Sequence, residues 1–186
     1  MNIKNNKLLI ILLLIIPISI MAHPHMFVEY TAELIFDETG LQGIQTEWTF
    51  DEMFSWQVID ENTNGDEIVD DEEQNKIYQN AFSYLANTGC FAEFWEGFER
   101  YQVKEVKDFK ASIKDGMLIY SFYLPWKVQA ESEVKMIKFL FNDPSYYCAV
   151  TPKKDGVKLI APGNIKTEMI MQDRVTYQIS FQKVNK

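Results

Sequence analysis

Apolar and polar residues alternate along the chain from His23 to Phe36, and this period of two predicts a β-strand with two unlike faces. The turn-forming sequence DETGLQG follows, and then a second β-rich run, IQTEWTF. The two runs are therefore predicted to form a hairpin with a long connection. One face of the first strand carries His23, His25, Phe27, Glu29 and Glu33, and the other carries Met26, Val28, Tyr30 and Leu34.

Helical spacing replaces alternation after Asp51. The segment DEMFSWQVI has an acidic first turn, and DDEEQNKIYQNAFSYLANTG has one apolar stripe and ends at a glycine, so two helices are predicted on either side of an acidic loop. Further β-type runs follow: YQVKEVKDFKASI, GMLIYSFYLPW, EVKMIKFLFN, YYCAVT and RVTYQISFQK. This order predicts an α+β fold, mainly antiparallel β-sheet with a two-helix insertion around an acidic EF-hand-like loop.

Residues 1–22 have the parts of a secretory signal peptide. Lys4 and Lys7 precede the unbroken aliphatic run Leu8–Ile16, and the small-residue exit SIMA follows. Cleavage after Ala22 would leave residues 23–186 as a single domain in the periplasm or outside the cell. An uncleaved membrane anchor is the alternative, but the apolar run is shorter than the roughly 20 residues of a spanning helix. We therefore expect no membrane span after processing.

Charge and cysteine content narrow the possible partners. The net charge is −9, and removal of two lysines with the leader makes it −11, which disfavours binding to nucleic acid. The two cysteines, Cys90 and Cys148, are candidates for a disulfide because an exported chain meets an oxidising compartment. The other interpretation is that they are two small buried core residues.

Both histidines of the chain lie in AHPHMF, directly after the expected cleavage point. If His23 becomes the first residue, its α-amine, its imidazole and the imidazole of His25 offer three nitrogens to one metal ion. Pro24 has no amide hydrogen, which excludes the square-planar mode that uses two backbone amides. Three nitrogens with an open position suit copper, nickel, cobalt or exchangeable zinc, and copper has the highest intrinsic affinity.

Further ligands for such an ion would have to be carboxylates. The candidates are Glu29, Asp51 and Glu52, although the last two also suit the start of a helix, where acidic side chains complement the dipole. The alternative interpretation of the whole motif is a merely polar, exposed chain end.

The acidic loop NTNGDEIVDDEE has the length and much of the ligand pattern of a calcium-binding EF-hand loop. Asn62 replaces the usual first aspartate, and Glu67 stands where glycine makes the sharp turn. Asp60, just outside the loop, could replace the lost charge, and a plain solvated acidic loop is the alternative. The ligand positions are Asn62, Asn64, Asp66, the carbonyl of Ile68, Asp70 and Glu73.

The segments AHPHMFVEY, WTFDEMFS, the acidic loop, VKDFKASIKDGMLIYSFYLPWKV and FNDPSYY together resemble one bacterial family, the domain of unknown function DUF1007. The likeness runs from His23 to about Val150. It implies a periplasmic component of an uncharacterised transport system, with a mature chain that starts at the histidine motif and genes near nickel, cobalt or zinc transporters. The matching motif residues are His23, Pro24, His25, Trp48, Phe50, Asp51, Glu52, Asp143, Pro144 and Tyr146.

We therefore expect a periplasmic transition-metal-binding accessory protein, not an enzyme, that serves metal transport or homeostasis together with an inner-membrane metal transporter. One alternative is a copper oxidoreductase of the histidine-brace type, but such a brace takes its second imidazole from far along the chain, where this sequence has none. The other is a calcium-stabilised periplasmic binding module that presents aromatics such as Trp95 or Trp126. A Ser-His-Asp or Cys-His hydrolase is excluded because both histidines lie together near the start.

Overall fold

Two five-stranded β-sheets and a helical segment make up the part of the chain that the computed structural model describes, residues 25–184. The helical segment comprises α1 (Glu52–Asn62), α2 (Asp71–Ile77), a π-helical turn (Tyr78–Phe82) and α3 (Ser83–Asn87). The strands are β1 (Met26–Asp37), β2 (Gly40–Phe50), β3 (Ala92–Glu96), β4 (Glu99–Tyr101), β5 (Lys107–Lys114), β6 (Met117–Gln129), β7 (Lys135–Phe141), β8 (Cys148–Ile160), β9 (Ile165–Met171) and β10 (Tyr177–Lys183).

The first sheet has the strand order β5-β6-β2-β1-β8, and the second has the order β4-β3-β7-β10-β9. All neighbouring strands are antiparallel except β1 and β8, which are parallel. The expected α+β class with mainly antiparallel sheets is therefore confirmed, and the parallel pair is an addition that the sequence pattern did not indicate.

Alternation along β1 places one side of the strand in the core, as predicted. Val28, Tyr30 and Leu34 are buried, whereas Phe27 and Glu29 on the opposite side are exposed. The strand begins at Met26, later than the predicted start at His23, and His23 lies outside the described residues.

Aromatic side chains join the two sheets face to face. Phe141 of β7 packs edge-on against Tyr30 and Trp48 of the first sheet, with ring centroids 4.8 and 5.3 Å away. Phe94 of β3 stacks on Trp126 of β6 at 4.5 Å. The abundant aromatic residues therefore fill the interior between the sheets, as burial of large apolar side chains requires.

The helical segment covers the part of the first sheet that the second sheet does not. Phe82 of the π-helical turn contacts Tyr120 and Phe122 of β6, with ring centroids 5.5 and 5.3 Å away. Ser55 of α1 accepts a hydrogen bond from the backbone of Leu118 at 2.9 Å. The helical segment and the second sheet thus pack side by side on the same inner face of the first sheet, and a gap remains between them.

Three predictions about the elements need correction. The second helix, predicted as continuous, is broken into α2, the π-helical turn and α3, and the aromatic stretch CFAEFWEGF contains β3 where no strand was predicted. Strand β9 was also missed, because as an edge strand it buries few side chains and so lacks clear alternation. Within residues 25–184 no helix is both long and apolar enough to cross a membrane.

Candidate functional site

His25 lies at the start of β1 and is held there through its backbone. The N–H groups of His25 and Met26 both donate to the carbonyl oxygen of Tyr147, at 2.8 and 3.2 Å. The imidazole of His25 is exposed and packs beside the ring of Tyr147, with centroids 5.3 Å apart and planes at 37°. His25 therefore has a defined position, whereas its predicted partner His23 lies outside the described residues.

Asp51 joins the start of α1 to the start of β1. Its Oδ1 accepts from the backbone N–H of Phe54 at 2.9 Å, which caps the helix, and its Oδ2 accepts from the backbone N–H of Phe27 at 2.6 Å. The backbone N–H of Asp51 donates in turn to the carbonyl of Phe27 at 3.0 Å. Both carboxylate oxygens of Asp51, a predicted metal ligand, thus already accept backbone hydrogen bonds. One of the donors, Phe27, is two residues along the chain from His25.

The other two predicted carboxylate ligands are on exposed surfaces. Glu29 lies on the outward side of β1, opposite Thr49 of β2 and Thr151 of β8, and Glu52 lies in the first turn of α1. Over the described range, 25–184, no three His, Cys, Asp or Glu side chains form a group that could hold a metal ion. The described residues thus bring His25 and Asp51 to one corner of the fold without a complete ligand set.

Asp143 shapes the turn that carries Tyr147 to His25. Its Oδ1 accepts from the backbone N–H and the hydroxyl of Ser145, at 2.8 and 2.7 Å, and its Oδ2 accepts from the backbone N–H of Cys148 at 2.9 Å. Burial acts to raise the pKa of Asp143, but the hydrogen bonds from Ser145 and Cys148 outweigh it and hold the pKa below its usual value. Asp143 therefore stays ionised and fixes residues 143–148.

The two cysteines are separate buried thiols, so the disulfide proposed between Cys90 and Cys148 is not present in the structure. Burial, with a smaller contribution from Asp143 and Asp51, raises the pKa of Cys148 to about 12. Burial likewise raises the pKa of Cys90. Both thiols are therefore protonated at neutral pH and have the character of small apolar core residues, which is the alternative interpretation of their role.

The fold contains a cavity of about 620 Å³, which we call the apolar cavity. Its size is within the range of small-molecule sites in proteins. Two residues connect it with the histidine motif, because Tyr147 and Met26 both line it. Its walls come from three parts of the fold, represented by Phe54 and Ala81 of the helical segment, Phe50 and Tyr120 of the first sheet, and Ala92 and Asp143 on the side of the second sheet.

Polar groups are concentrated on one side of the apolar cavity. Arg100 and Glu93 form an ion pair at 3.7 Å, and the side-chain amide of Asn142 donates to Glu93 at 2.9 Å. On the opposite wall, Tyr120 is 1% exposed, and its hydroxyl has no hydrogen-bond partner within the described chain. Burial raises the pKa of Tyr120, so this phenol remains neutral.

The side chain proposed as the first calcium ligand of the acidic loop makes hydrogen bonds to residues outside the loop. Asn62 is 4% exposed, donates to the carbonyl of Val58 at 2.8 Å and accepts from Asn80 at 2.8 Å. It thus ties α1 to the π-helical turn. Asp60, the proposed substitute for the missing charge, is an exposed residue of α1.

The remaining predicted calcium ligands bond to the backbone of the loop. Asn64 accepts from Asp66 N–H at 2.8 Å, and Asp66 accepts from Ile68 N–H at 2.9 Å. Glu73 accepts from Asn64 N–H at 2.7 Å and from Asp70 N–H at 3.2 Å, and Asp70 caps α2 by accepting from Glu73 N–H. Glu67 occupies the position where calcium loops have a glycine, and it makes the same bend with a φ of 64°. The loop is thus folded, and calcium binding to it stays a prediction.

Sequence reasoning missed the apolar cavity and the role of Tyr147. The cavity is formed by residues that lie far apart in the chain, so no local motif marks it. A signal for Tyr147 did exist: FNDPSYY contains Asp and Ser at the spacing of a side-chain-closed turn, which places the following residues against a neighbouring element.

Comparison with known proteins gives one family match and one similar protein. Residues 8–175 match the family described as "Protein of unknown function (DUF1007)". An uncharacterized protein of Haemophilus influenzae is 25% identical over 147 residues, a match that covers 74% of this chain and 66% of that protein. The chain thus spans just under two thirds of the length of this relative.

Proposed function

This chain belongs to the family described as protein of unknown function DUF1007, and we propose that it is a periplasmic protein that binds one transition-metal ion through its processed amino terminus. The ligands are the α-amine and imidazole of His23 and the imidazole of His25. The ion is copper, nickel, cobalt or zinc, all of which accept imidazole ligands. The protein holds the ion for an inner-membrane transporter.

The observation that supports this proposal is the position of His25. Its backbone is hydrogen-bonded to Tyr147, and its imidazole is exposed immediately before β1 begins. A ligand whose backbone is already ordered loses less conformational entropy when it binds a metal. An ion at His25 would therefore be held at a defined corner of the fold.

The acidic character of the chain supports a cationic cargo. The net charge of −11 after removal of the leader attracts cations toward the surface and increases their rate of encounter. Glu29 and Glu52 are both exposed, so their carboxylates are not taken up by packing in the core. Asp51 is less suited, because both of its oxygens already accept backbone hydrogen bonds.

Metal titration of the exported protein tests this function. Mass spectrometry first establishes that the mature chain begins at His23, and calorimetry with Cu(II), Ni(II) and Zn(II) then measures stoichiometry and affinity. We expect one ion per chain and a loss of at least about tenfold in affinity in His25→Ala, since a direct ligand matters at least as much as the groups that orient it.

Two further variants separate the ligands. One extra alanine before His23 keeps both imidazoles but moves the amine, and should weaken binding as His25→Ala does. Glu29→Gln tests the carboxylate without disturbing the core. A processed protein that stays metal-free with stoichiometric ions, or a His25→Ala variant of unchanged affinity, would refute the proposal.

A further inference from the structure

The apolar cavity has buried walls and an exposed mouth. Tyr84 of α3 and Tyr147, in the turn before β8, line the cavity and are 76% and 57% exposed. Phe50 and Leu85 line it as well, but both are buried. The cavity therefore extends from the surface toward the core, and a small molecule can enter it from solvent.

Aromatic side chains line the cavity from its mouth inward. Tyr84 and Tyr147 come from different parts of the fold, and the partly buried rings of Phe54 and Phe91 continue the lining. Aromatic rings pack on one another with an attraction beyond that of simple burial. The lining therefore suits a molecule with an aromatic body.

The charged side chains of the lining already have partners. Arg100 and Glu93 form an ion pair at 3.7 Å, and Glu93 also accepts from Asn142 at 2.9 Å. Asp143 accepts hydrogen bonds from Ser145 and Cys148. A charged ligand would thus be buried in an apolar space without a free counter-charge, which is costly. An uncharged ligand avoids this cost.

The wall of the cavity also contains the irregular part of the helical segment. Ala81 lies in the π-helical turn Tyr78–Phe82, and its small side chain leaves space where a larger residue would fill it. Single π-helical turns inside α-helices are frequent at functional sites.

We propose that the apolar cavity binds a small, uncharged aromatic molecule, with its rings against Phe54 and Phe91 and its outer end between Tyr84 and Tyr147. The volume of about 620 Å³ is sufficient for a body of two or three rings. This second site goes beyond the proposed function, because it binds an organic molecule and needs no metal ion.

Titration with two related fluorescent probes tests the inference. N-phenyl-1-naphthylamine is uncharged, whereas 8-anilino-1-naphthalenesulfonate has the same aromatic body and an added sulfonate. Both are titrated into the processed protein in the presence of EDTA. We expect the uncharged probe to bind once per chain, and the sulfonate to bind at least about tenfold more weakly because its charge would lack a partner.

A displacement experiment tests the preference for aromatic rings. The bound probe is displaced with 1-naphthol or with decahydro-1-naphthol, which has the same carbon skeleton and hydroxyl group but no aromatic ring. The naphthol should act at a concentration roughly threefold to tenfold lower, because only its rings gain the additional attraction of aromatic pairs.

Variants at the mouth locate the bound probe. Tyr84→Ala and Tyr147→Ala should each weaken binding of the uncharged probe roughly threefold to tenfold, since each removes an aromatic contact. Tyr146→Ala is the matched control. Tyr146 is adjacent to Tyr147 and equally exposed, but it does not line the apolar cavity, so its removal should leave the affinity unchanged.

Variants that fill the cavity test the interior. Ala81→Phe and Ala92→Phe both place a large ring in the lining and should abolish binding of the uncharged probe. Ala161→Phe, at an exposed position outside the lining, should keep it. Circular dichroism checks the folding of each variant, and the variants at Tyr84 and Tyr147 decide the result if both filling variants fold poorly.

Several outcomes would overturn the inference. These are no binding of the uncharged probe, equal affinity for the sulfonate, equal displacement by the saturated alcohol, or binding that survives both filling variants or both mouth variants. A dimer in analytical ultracentrifugation that excludes the probe would assign the cavity to a second copy of the chain instead. Because EDTA is present throughout, failure of the metal titration would refute only the proposed function.

Discussion

The carboxylate of Asp143 acts on the proposed site from a distance, through the turn it closes. It is 6% exposed and accepts three hydrogen bonds from Ser145 and Cys148. Tyr147 lies within that turn, and its carbonyl receives the N–H groups of His25 and Met26. A single buried side chain thus orders the turn whose carbonyl anchors the first described residue of the histidine motif.

Asp143→Asn should lower the free energy of unfolding by about 1–3 kcal/mol at pH 7, since hydrogen bonds to a charged acceptor are lost or weakened. The pKa of Asp143 is lowered in the folded protein, so its stabilisation is complete above the unfolded value near ~3.9 and is lost as pH falls through the lower folded value. Urea unfolding at pH 7 and at pH 3 measures both effects.

In that experiment the stability difference between wild type and Asp143→Asn should therefore shrink at pH 3. Asp115→Asn, in the exposed turn between β5 and β6, serves as a control and should change stability little at either pH. A difference that stays constant between pH 7 and pH 3 would contradict the role assigned to Asp143.

Among the elements, the acidic loop between α1 and α2 combines good local bonding with one strained residue. Asp70 and Glu73 form a capping box at the start of α2, which is the arrangement that acidic residues at this spacing predict. Glu67, by contrast, has a φ of 64°, a conformation that costs an L-residue roughly 1–2 kcal/mol. The loop keeps the bend of a calcium loop without the glycine that makes the bend easy.

Glu67→Gly should therefore stabilise the protein by about 0.5–1 kcal/mol, because relief of strain exceeds the extra chain entropy of glycine in the unfolded state. Asp71→Gly, in the first turn of α2 and in a helical conformation, is the matched control and should destabilise by up to about 1 kcal/mol. Thermal unfolding followed by circular dichroism measures both. A loss of stability in Glu67→Gly would show that its side chain has an unrecognised partner.

At the scale of the whole molecule, stability depends on the contact between the two sheets. Phe141 belongs to the second sheet, yet its ring lies against Tyr30 and Trp48 of the first sheet and is 1% exposed. Asn142, the residue after Phe141, lines the apolar cavity together with residues of the helical segment such as Phe54. Packing of the sheets thus defines both the core and the empty space next to it.

Phe141→Ala should cost about 3–5 kcal/mol, the usual range when a large aromatic side chain is removed from a core. Tryptophan fluorescence and far-ultraviolet circular dichroism should report one coincident denaturant transition, because the sheets share this contact. Phe98→Ala, in the exposed turn between β3 and β4, should change stability by less than about 0.5 kcal/mol. Two separate transitions in the wild type would show that the sheets unfold independently.

Local pattern in the chain predicted the elements whose faces differ most. Strands β1, β6, β7 and β10, and β2 from Ile44 onward, bury every second side chain, and each of them corresponds to a predicted β-type run. The acidic N-terminal turns of α1 and α2 were also predicted from the sequence, because helix capping involves only residues that are close together in the chain. The exposure of Phe27 opposite the burial of Val28 follows from the same period of two.

Contacts between distant residues were decided only by the tertiary structure. The parallel pairing of β1 with β8 joins residues more than 100 positions apart. The alternation of apolar and polar residues along a strand indicates which side is buried but not which strand it pairs with. The same pairing brings Tyr147 to His25 and closes one side of the apolar cavity. The sequence alone thus determined the strand faces, the helix caps and the histidine motif, because these features depend on residues close together in the chain. The cavity and the anchoring of His25 were decided by the tertiary structure, because they depend on which distant surfaces pack together.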